Sequence, residues 1–259
     1  MHEALVDIRG AKLRLSRQGV GAPVLFLHGV QGMPNWSPAL ERLSRRFDVL
    51  APDHPGFGGS DAPDWIDDVA DLAFFYLDLL ATYDLPEVHI VGESLGGWIA
   101  LEMAIRSTAR IRSLTLAAAA GIRVDGVPRG DMFIATPVEL GGMLFADAKA
   151  AAAWAAQWQE TPALQEAYDR NRHAAAKYTW QPRLYNPKLA KWLHRIDVPT
   201  QILWGEGDKL IPPAYAASLK QLLPHASLMM IPDCGHLISV EQPDLFADAA
   251  TQFIERLRP

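Results

Sequence analysis

Gly92-Glu93-Ser94-Leu95-Gly96 places a serine between an apolar run, Val88 to Val91, and a helix-permitting run, Trp98 to Ile105. Turning a strand straight into a helix around one residue forces that residue into a strained backbone conformation. Flanking glycines, which lack Cβ, let the neighbouring segments approach closely enough for the turn. The apical side chain then stands above the sheet edge, at the positive N-terminal end of the following helix. A serine there is a nucleophile that lacks only a base. The pentapeptide alone also describes a glycine-rich turn with a solvated serine, so the rest of the chemistry must come from elsewhere in the chain. Three further polar groups follow apolar runs that read as strands: His28-Gly29-Val30-Gln31, Gly205-Glu206-Gly207-Asp208 and Asp233-Cys234-Gly235-His236. Ligands of open parallel sheets bind outside the carboxyl ends of strands. Four strand ends thus converge on one rim, in the chain order Ser, Asp, His.

The elements that must position these groups are legible in the periodicity. Residues 3–9 and 12–17 alternate apolar and polar about Gly10, which predicts an antiparallel hairpin at a sheet edge. Pro23 to His28 reads as a strand buried on both faces, followed by a helix over about 36–45 and a short strand over 47–52. An amphipathic helix over about 67–83 leads to the strand before Ser94, and a further strand covers about 111–118. Strands alternating with helices imply right-handed crossovers and a mainly parallel sheet. The alternation stops near residue 123. Residues 123–194 contain capping signals, Thr136-Pro137-Val138-Glu139, Asp147 and Thr161-Pro162, but no convincing strand. They read as three or four short helices packed over the sheet, because no Gly/Ser-rich hinge frees them. A strand over 200–204, a helix over 212–223, a strand over 227–231 and a helix over 243–257 complete the chain.

Composition removes several classes. The chain has 259 residues, 49% of them hydrophobic, enough for one large α/β domain. A net charge of −6 without a basic cluster argues against nucleic acid as a partner. The single cysteine, Cys234, excludes an intramolecular disulfide, and Met1-His-Glu-Ala-Leu-Val-Asp7 has neither a basic nor an apolar leader region. No run approaches the length of a membrane span. A soluble, cytoplasmic protein is the expectation; the oligomeric state has no sequence signal. There is no H-E-x-x-H, paired C-x-x-C or Walker loop, so neither a metal nor an organic cofactor is expected, and Asp53 and Asp61 read as turn caps.

Taken together, the His28-Gly29 loop, Asp53-x-x-Gly56-x-Gly58-x-Ser60, Gly92-x-Ser94-x-Gly96-Gly97, Trp204-Gly-x-x-Asp208 and Gly235-His236 resemble the α/β-hydrolase superfamily over essentially the whole chain. The resemblance implies an α/β fold, with a mostly parallel eight-stranded sheet flanked by helices. It implies a core of residues 1–122 and 195–259 and a helical cap, 123–194, inserted after the sixth strand. It implies Ser94 as nucleophile, His236 as general base and then acid, and Asp208 as the carboxylate that orients the imidazole. The main-chain N–H groups of Val30 and Leu95 occupy the expected oxyanion positions. Glu206 is the competing carboxylate but matches the pattern less well. Among the other histidines, His2, His173, His194 and His225 read as surface residues, His28 and His54 as hydrogen-bonded loop structure, and His89 lies in a strand. Cys234 reads as a small buried hydrophobe.

The function implied is hydrolysis of a carboxylic ester through an acyl-serine intermediate. Serine at the elbow argues against the branches that use aspartate there. An alternative is a carbon–carbon bond hydrolase acting on vinylogous diketones. For that branch a tryptophan after the histidine and a glycine-rich loop after His28-Gly29 are expected, whereas Leu237 and Gln31-Gly32-Met33-Pro34 stand here. A slow-turnover small-molecule receptor is a third reading, with no partner surface marked. The roof over Ser94 is expected to come from 123–194, which carries Met132, Phe133, Met143, Leu144, Phe145, Trp154 and Trp158 with few acidic side chains. Trp154 and Trp158 read as core of the insertion or, with Phe133, Phe145 and Leu237, as pocket wall. Such a roof suits a small or medium uncharged ester.

Overall fold

The computed structural model describes residues 1–257 except positions 34, 86, 159 and 224; Pro34, named with Gln31, Gly32 and Met33 in the sequence analysis, lies outside the described residues. Eight strands form one sheet: β1 (His2–Ile8), β2 (Ala11–Gln18), β3 (Pro23–Leu27), β4 (Asp48–Pro52), β5 (Val88–Glu93), β6 (Ile111–Ala117), β7 (Thr200–Gly205) and β8 (Ser227–Ile231). Their order is β1-β2-β4-β3-β5-β6-β7-β8. The β1–β2 and β2–β4 pairs are antiparallel and the rest parallel. The hairpin forms at the edge as expected.

Helices α1 (Pro38–Ser44), α2 (Val69–Thr82), α3 (Leu95–Arg106), α7 (Ala214–Leu222), α8 (Ile238–Glu241) and α9 (Pro243–Arg256) connect or follow the strands, while α4 (Pro137–Leu144), α5 (Ala148–Gln157) and α6 (Pro162–Thr179) lie between β6 and β7. Among the described residues no helix is long and apolar enough to cross a membrane.

From β3 the chain steps outward to β4, then returns past β3 to β5 and continues the other way. That reversal opens a crevice beyond the carboxyl ends of β3 and β5, and both the loop of Val30 and Ser94 lie there. β5 is buried along its whole length, as an apolar central strand requires.

The helices between β6 and β7 begin where their caps predict. Thr136 Oγ1 accepts from Glu139 N while Thr136 N donates to Glu139 Oε2, a complete capping box. Asp147 caps α5 and Thr161 caps α6. One helix is longer than expected: α6 runs for 18 residues. Trp154 and Trp158 meet at 5.8 Å between ring centroids, Trp158 lies 5.0 Å from Tyr168, and Phe145 lies 6.2 Å from Trp154. All four rings are buried, so this cluster is the shared core of α5 and α6.

Behind the rim, His28 and His54 stack at 3.8 Å. His28 Nδ1 donates to Gly29 O (2.7 Å) and its Nε2 accepts from His54 N (3.0 Å). His54 Nε2 donates to His28 O (2.8 Å) and its Nδ1 accepts from the Tyr76 hydroxyl. Each ring is therefore a neutral tautomer with both nitrogens used. Burial lowers the pKa of both below the ordinary 6.5, and for His54 the neighbouring His28 lowers it further.

Two outcomes follow from this packing. Trp154→Ala should cost about 3–5 kcal/mol in urea unfolding, whereas Trp158→Phe should cost much less, because the Trp158 indole N–H is buried without a partner among the described residues. Since His28 and His54 stay neutral in the fold but take up protons when unfolded, their share of stability is present above pH 6.5 and is lost as pH falls through that value. Unfolding curves between pH 7.5 and 5.5 should show this decline, and His54→Gln should flatten it.

Candidate active site

Ser94 sits at φ 55°, ψ −111°, between β5 and α3. This left-handed conformation is uncommon for a residue with Cβ, and contacts on every side impose it. A Cβ on Gly96 would stand 1.9 Å from Leu27 O, one on Gly92 2.5 Å from Gly96 O, and one on Gly97 2.6 Å from the Ala119 Cβ. The glycines are thus required for α3 to start against the end of β3.

Asp208 lies in a turn after β7. Its Oδ1 accepts from Leu210 N (3.0 Å) and Ile211 N (2.8 Å), and Trp204 Nε1 donates to Ile211 O (3.0 Å), which closes the same turn. Glu206 N donates to Ile231 O (2.9 Å) and Gly207 N to Cys234 O (2.8 Å). These bonds tie this turn to the loop of His236. His236 Nδ1 donates to Asp208 Oδ2 (2.8 Å), and its Nε2 accepts from Ser94 Oγ (2.9 Å). The three residues are 5%, 3% and 1% exposed for Ser94, Asp208 and His236, so the chain of hydrogen bonds is shielded from water. Glu206 is exposed and takes no part in it.

Burial by itself would lower the His236 pKa. The charge of Asp208 and its hydrogen bond, with a contribution from Glu93, outweigh burial and raise it above 6.5. Glu93, the residue before Ser94, is buried, and burial pushes its carboxyl pKa upward against the bonds from Ser239 N (3.0 Å) and Ser239 Oγ (2.7 Å). Burial, reinforced by the charges of Glu241, Glu93 and Asp208, pushes the Cys234 thiol up to about 12. It remains a protonated, inert thiol near neutrality, in keeping with its reading as a small buried hydrophobe.

Val30 and Leu95 line a cavity at Ser94 with Trp98, Met132, Leu210 and Ile211. Among the described residues, no acceptor takes up the N–H of Val30 or of Leu95. The loop carrying Val30 is held by a turn, Gly32 N to Gly29 O (3.1 Å), and by Asn171 of α6, whose Nδ2 donates to Gln31 O (2.8 Å). Asn171 Oδ1 also accepts from Gly58 N (3.2 Å). The cavity measures only about 30 Å³, roughly room for one water.

None of the five side chains named as pocket wall lines this cavity, and Trp154 and Trp158 pack as core of the insertion, the other reading given for them. Trp154, Trp158 and Phe145 belong to the aromatic cluster. Phe133 packs on Trp180 (5.5 Å), and Leu237 is buried beside His236 without lining the cavity. An apolar side chain in a helical insertion satisfies its period equally by packing on neighbouring helices, and here it does so. Arg129, a basic side chain, lines the cavity among the apolar ones. Arg129 and Asn171 carry no motif. Glu93 occupies a variable position of the elbow, and Glu241 is one acid among several. Glu241 Oε1 accepts from Ala146 N (2.9 Å) and Asp147 N (3.0 Å) while Oε2 accepts from Gly235 N (2.6 Å). Only the folded chain marks these residues. Among the described residues no group of three or more His, Cys, Asp or Glu forms a metal-binding cluster.

Comparison with known proteins agrees with this architecture. The chain is 26% identical, over 98% of its length and 91% of the relative, to the 2-hydroxy-6-oxo-6-(2'-aminophenyl)hexa-2,4-dienoic acid hydrolase of Metapseudomonas resinovorans. It is 29% identical to the poly(3-hydroxyalkanoate) depolymerase of Ectopseudomonas oleovorans, over 91% of this chain and 85% of that one. An esterase from a Rhodococcus species superimposes with a TM-score of 0.78 at 23% identity, covering 99% of each chain. The family described by the alpha/beta hydrolase fold matches residues 22–243. With the sheet order, the elbow and this match in agreement, the chain belongs to the α/β-hydrolase family and is a hydrolase.

Proposed function

We propose that the protein hydrolyses carboxylic esters through an acyl-serine intermediate, with Ser94 as nucleophile, His236 as base and then acid, and Asp208 orienting the imidazole. The observation that carries this reading is the buried relay of 2.9 Å and 2.8 Å from Ser94 through His236 to Asp208. Residues 123–194 then act as a cap on a core of 1–122 and 195–259. The bonds of Leu144 O to His236 N (2.7 Å) and Leu237 N (3.3 Å) join the two.

The chemistry follows from the geometry. Nε2 takes the Ser94 proton as Oγ attacks the ester carbonyl, and the C=O electron pair moves to oxygen. The oxyanion accepts from the N–H groups of Val30 and Leu95, which need not break another bond to reach it. Collapse expels the alcohol, protonated by the imidazolium, and leaves the acyl-serine. Water deprotonated at the same Nε2 attacks that ester, and the reverse proton transfer frees Ser94. Asp208 fixes the tautomer that leaves Nε2 available. A cavity with room for about one water suits the deacylation step; an acyl group needs the lining side chains to give way.

A second reading, cleavage of a carbon–carbon bond in a vinylogous diketone, is supported by the dienoic acid hydrolase named above. Both are tested with one panel: aryl esters of increasing acyl length, a thioester, an amide and a vinylogous diketone. Steady turnover of the esters supports the first reading; turnover of the diketone alone overturns it.

Ser94→Ala or His236→Ala should each lower kcat by on the order of 10⁶, and the double variant little further, because the residues act as a unit. Asp208→Asn should cost roughly 10⁴, and a larger loss in Glu206→Gln would show that the wrong carboxylate has been assigned. His236 must be neutral to act as base, and its pKa is raised above 6.5. A plot of kcat/KM against pH should therefore rise to a plateau with its midpoint above 6.5. A midpoint below that value would contradict the Asp208–His236 pairing.

A further inference from the structure

Arg129 lies between β6 and α4 and lines the cavity at Ser94 beside Trp98, Met132, Leu210 and Ile211. A guanidinium in such surroundings is costly without a counter-charge. Of its five N–H donors, one on Nη1 goes to Leu184 O (2.7 Å) and one on Nη2 to Arg183 O. The other three meet no acceptor among the described residues. No carboxylate of those residues lies within ion-pair distance of Arg129. The acid nearest in sequence, Asp131, is engaged by Arg183 at 2.7 Å and by Phe133 N at 2.9 Å. Arg129 is half-buried, and burial lowers its pKa against smaller opposing effects of Tyr215 and Asp131, so the fold compensates this cation only in part.

Arg129 also faces outward. With Gly130 and Leu184 it forms the wall between the cavity and an outer groove of about 300 Å³, whose charged lining is Arg123, Arg183 and one carboxylate, Asp131. Arg183 is already paired with Asp131, whereas among the described residues Arg123 is held only over the Tyr185 ring, 5.5 Å from its centroid. The groove is therefore positive at the point where it meets the cavity.

We propose that cavity and groove are the two ends of one substrate site, and that Arg129 binds a carboxylate carried by the substrate at the end away from its scissile ester. The guanidinium fork matches a carboxylate in shape and supplies charge-assisted hydrogen bonds. Its bonds to Arg183 and Leu184 hold the fork in place, and its three remaining donors serve the ligand. Arg123 attracts the anion from the rim. The preferred substrate is then a half-ester of a dicarboxylic acid or an equivalent ω-carboxyacyl ester, rather than a neutral one.

The inference deepens the ester-hydrolase reading and rests on it only in the kinetic arm of its test. That arm compares the p-nitrophenyl half-ester of glutaric acid with its methyl-capped counterpart. The free carboxylate should raise kcat/KM by on the order of tenfold or more, through KM, as charge-assisted hydrogen bonds allow. In Arg129→Gln this ratio should fall to about one. In Arg129→Lys, which keeps the charge and loses the fork, it should be intermediate. The second arm titrates glutarate calorimetrically into the Ser94→Ala protein and into Ser94→Ala/Arg129→Gln; binding should be seen in the first and lost in the second. If neither ester is turned over, the ester reading fails and calorimetry alone decides the inference. Equal kcat/KM for the two esters together with absent glutarate binding overturns it. A preference that persists in Arg129→Gln shows that the anion is read elsewhere and overturns the assignment to Arg129.

Discussion

The close contact between the first turn of α3 and the end of β3 is the constraint on which the site depends. Gly96 lies so near Leu27 O that any Cβ would collide at 1.9 Å. Because α3 begins there, Ser94 is held in a left-handed conformation with its side chain aimed out of the sheet. Because β3 ends there, the loop after it brings Val30 N–H to the same cavity as Leu95 N–H. Ser94, Val30 and Leu95, the proposed nucleophile and oxyanion donors, are thus placed by one packing contact between backbones, which is more rigid than any arrangement of long side chains.

Around that contact the loops of Asp208 and His236 are joined through main-chain bonds rather than through those two side chains alone. Gly205 permits this, since a Cβ on it would stand 2.1 Å from Gly235 O. The segment between β6 and β7 is attached at the same places. Leu144 O accepts from His236 N, Glu241 spans Gly235 and residues 146–147, and Asn171 binds the loop of Val30. A change in the helices of this segment therefore reaches both His236 and the loop of Val30 through short hydrogen-bonded paths.

The buried charges sort into matched and unmatched. Asp208 is satisfied by two backbone N–H groups and His236, Glu93 by Ser239, and Asp53 by Arg14 at 3.1 Å and Gly59 N at 2.9 Å. Each of these stabilises geometry because its desolvation is offset by bonds. Arg129, half-buried, differs: the main chain orients it through Leu184 O and Arg183 O, and no carboxylate of the described residues forms an ion pair with it.

Local pattern by itself determined the alternation of strands and helices, the elbow at Ser94, the caps at Thr136, Asp147 and Thr161, and the carboxyl rim on which Ser94, Asp208 and His236 come together. Each is written in short-range signals: hydrophobic period, glycine spacing and capping residues act within a few positions of one another. The tertiary structure alone decided what lines the cavity. For Trp154, Trp158, Phe133 and Phe145 a helical periodicity fits both core and wall, since burial against a neighbouring helix and burial against a substrate leave the same pattern. Arg129 and Asn171 lay in stretches without any period or motif, and their partners are 55 and 140 residues away. Which polar groups meet over such separations depends on how the helices settle on the sheet, a sum of many small packing terms that no local signal encodes.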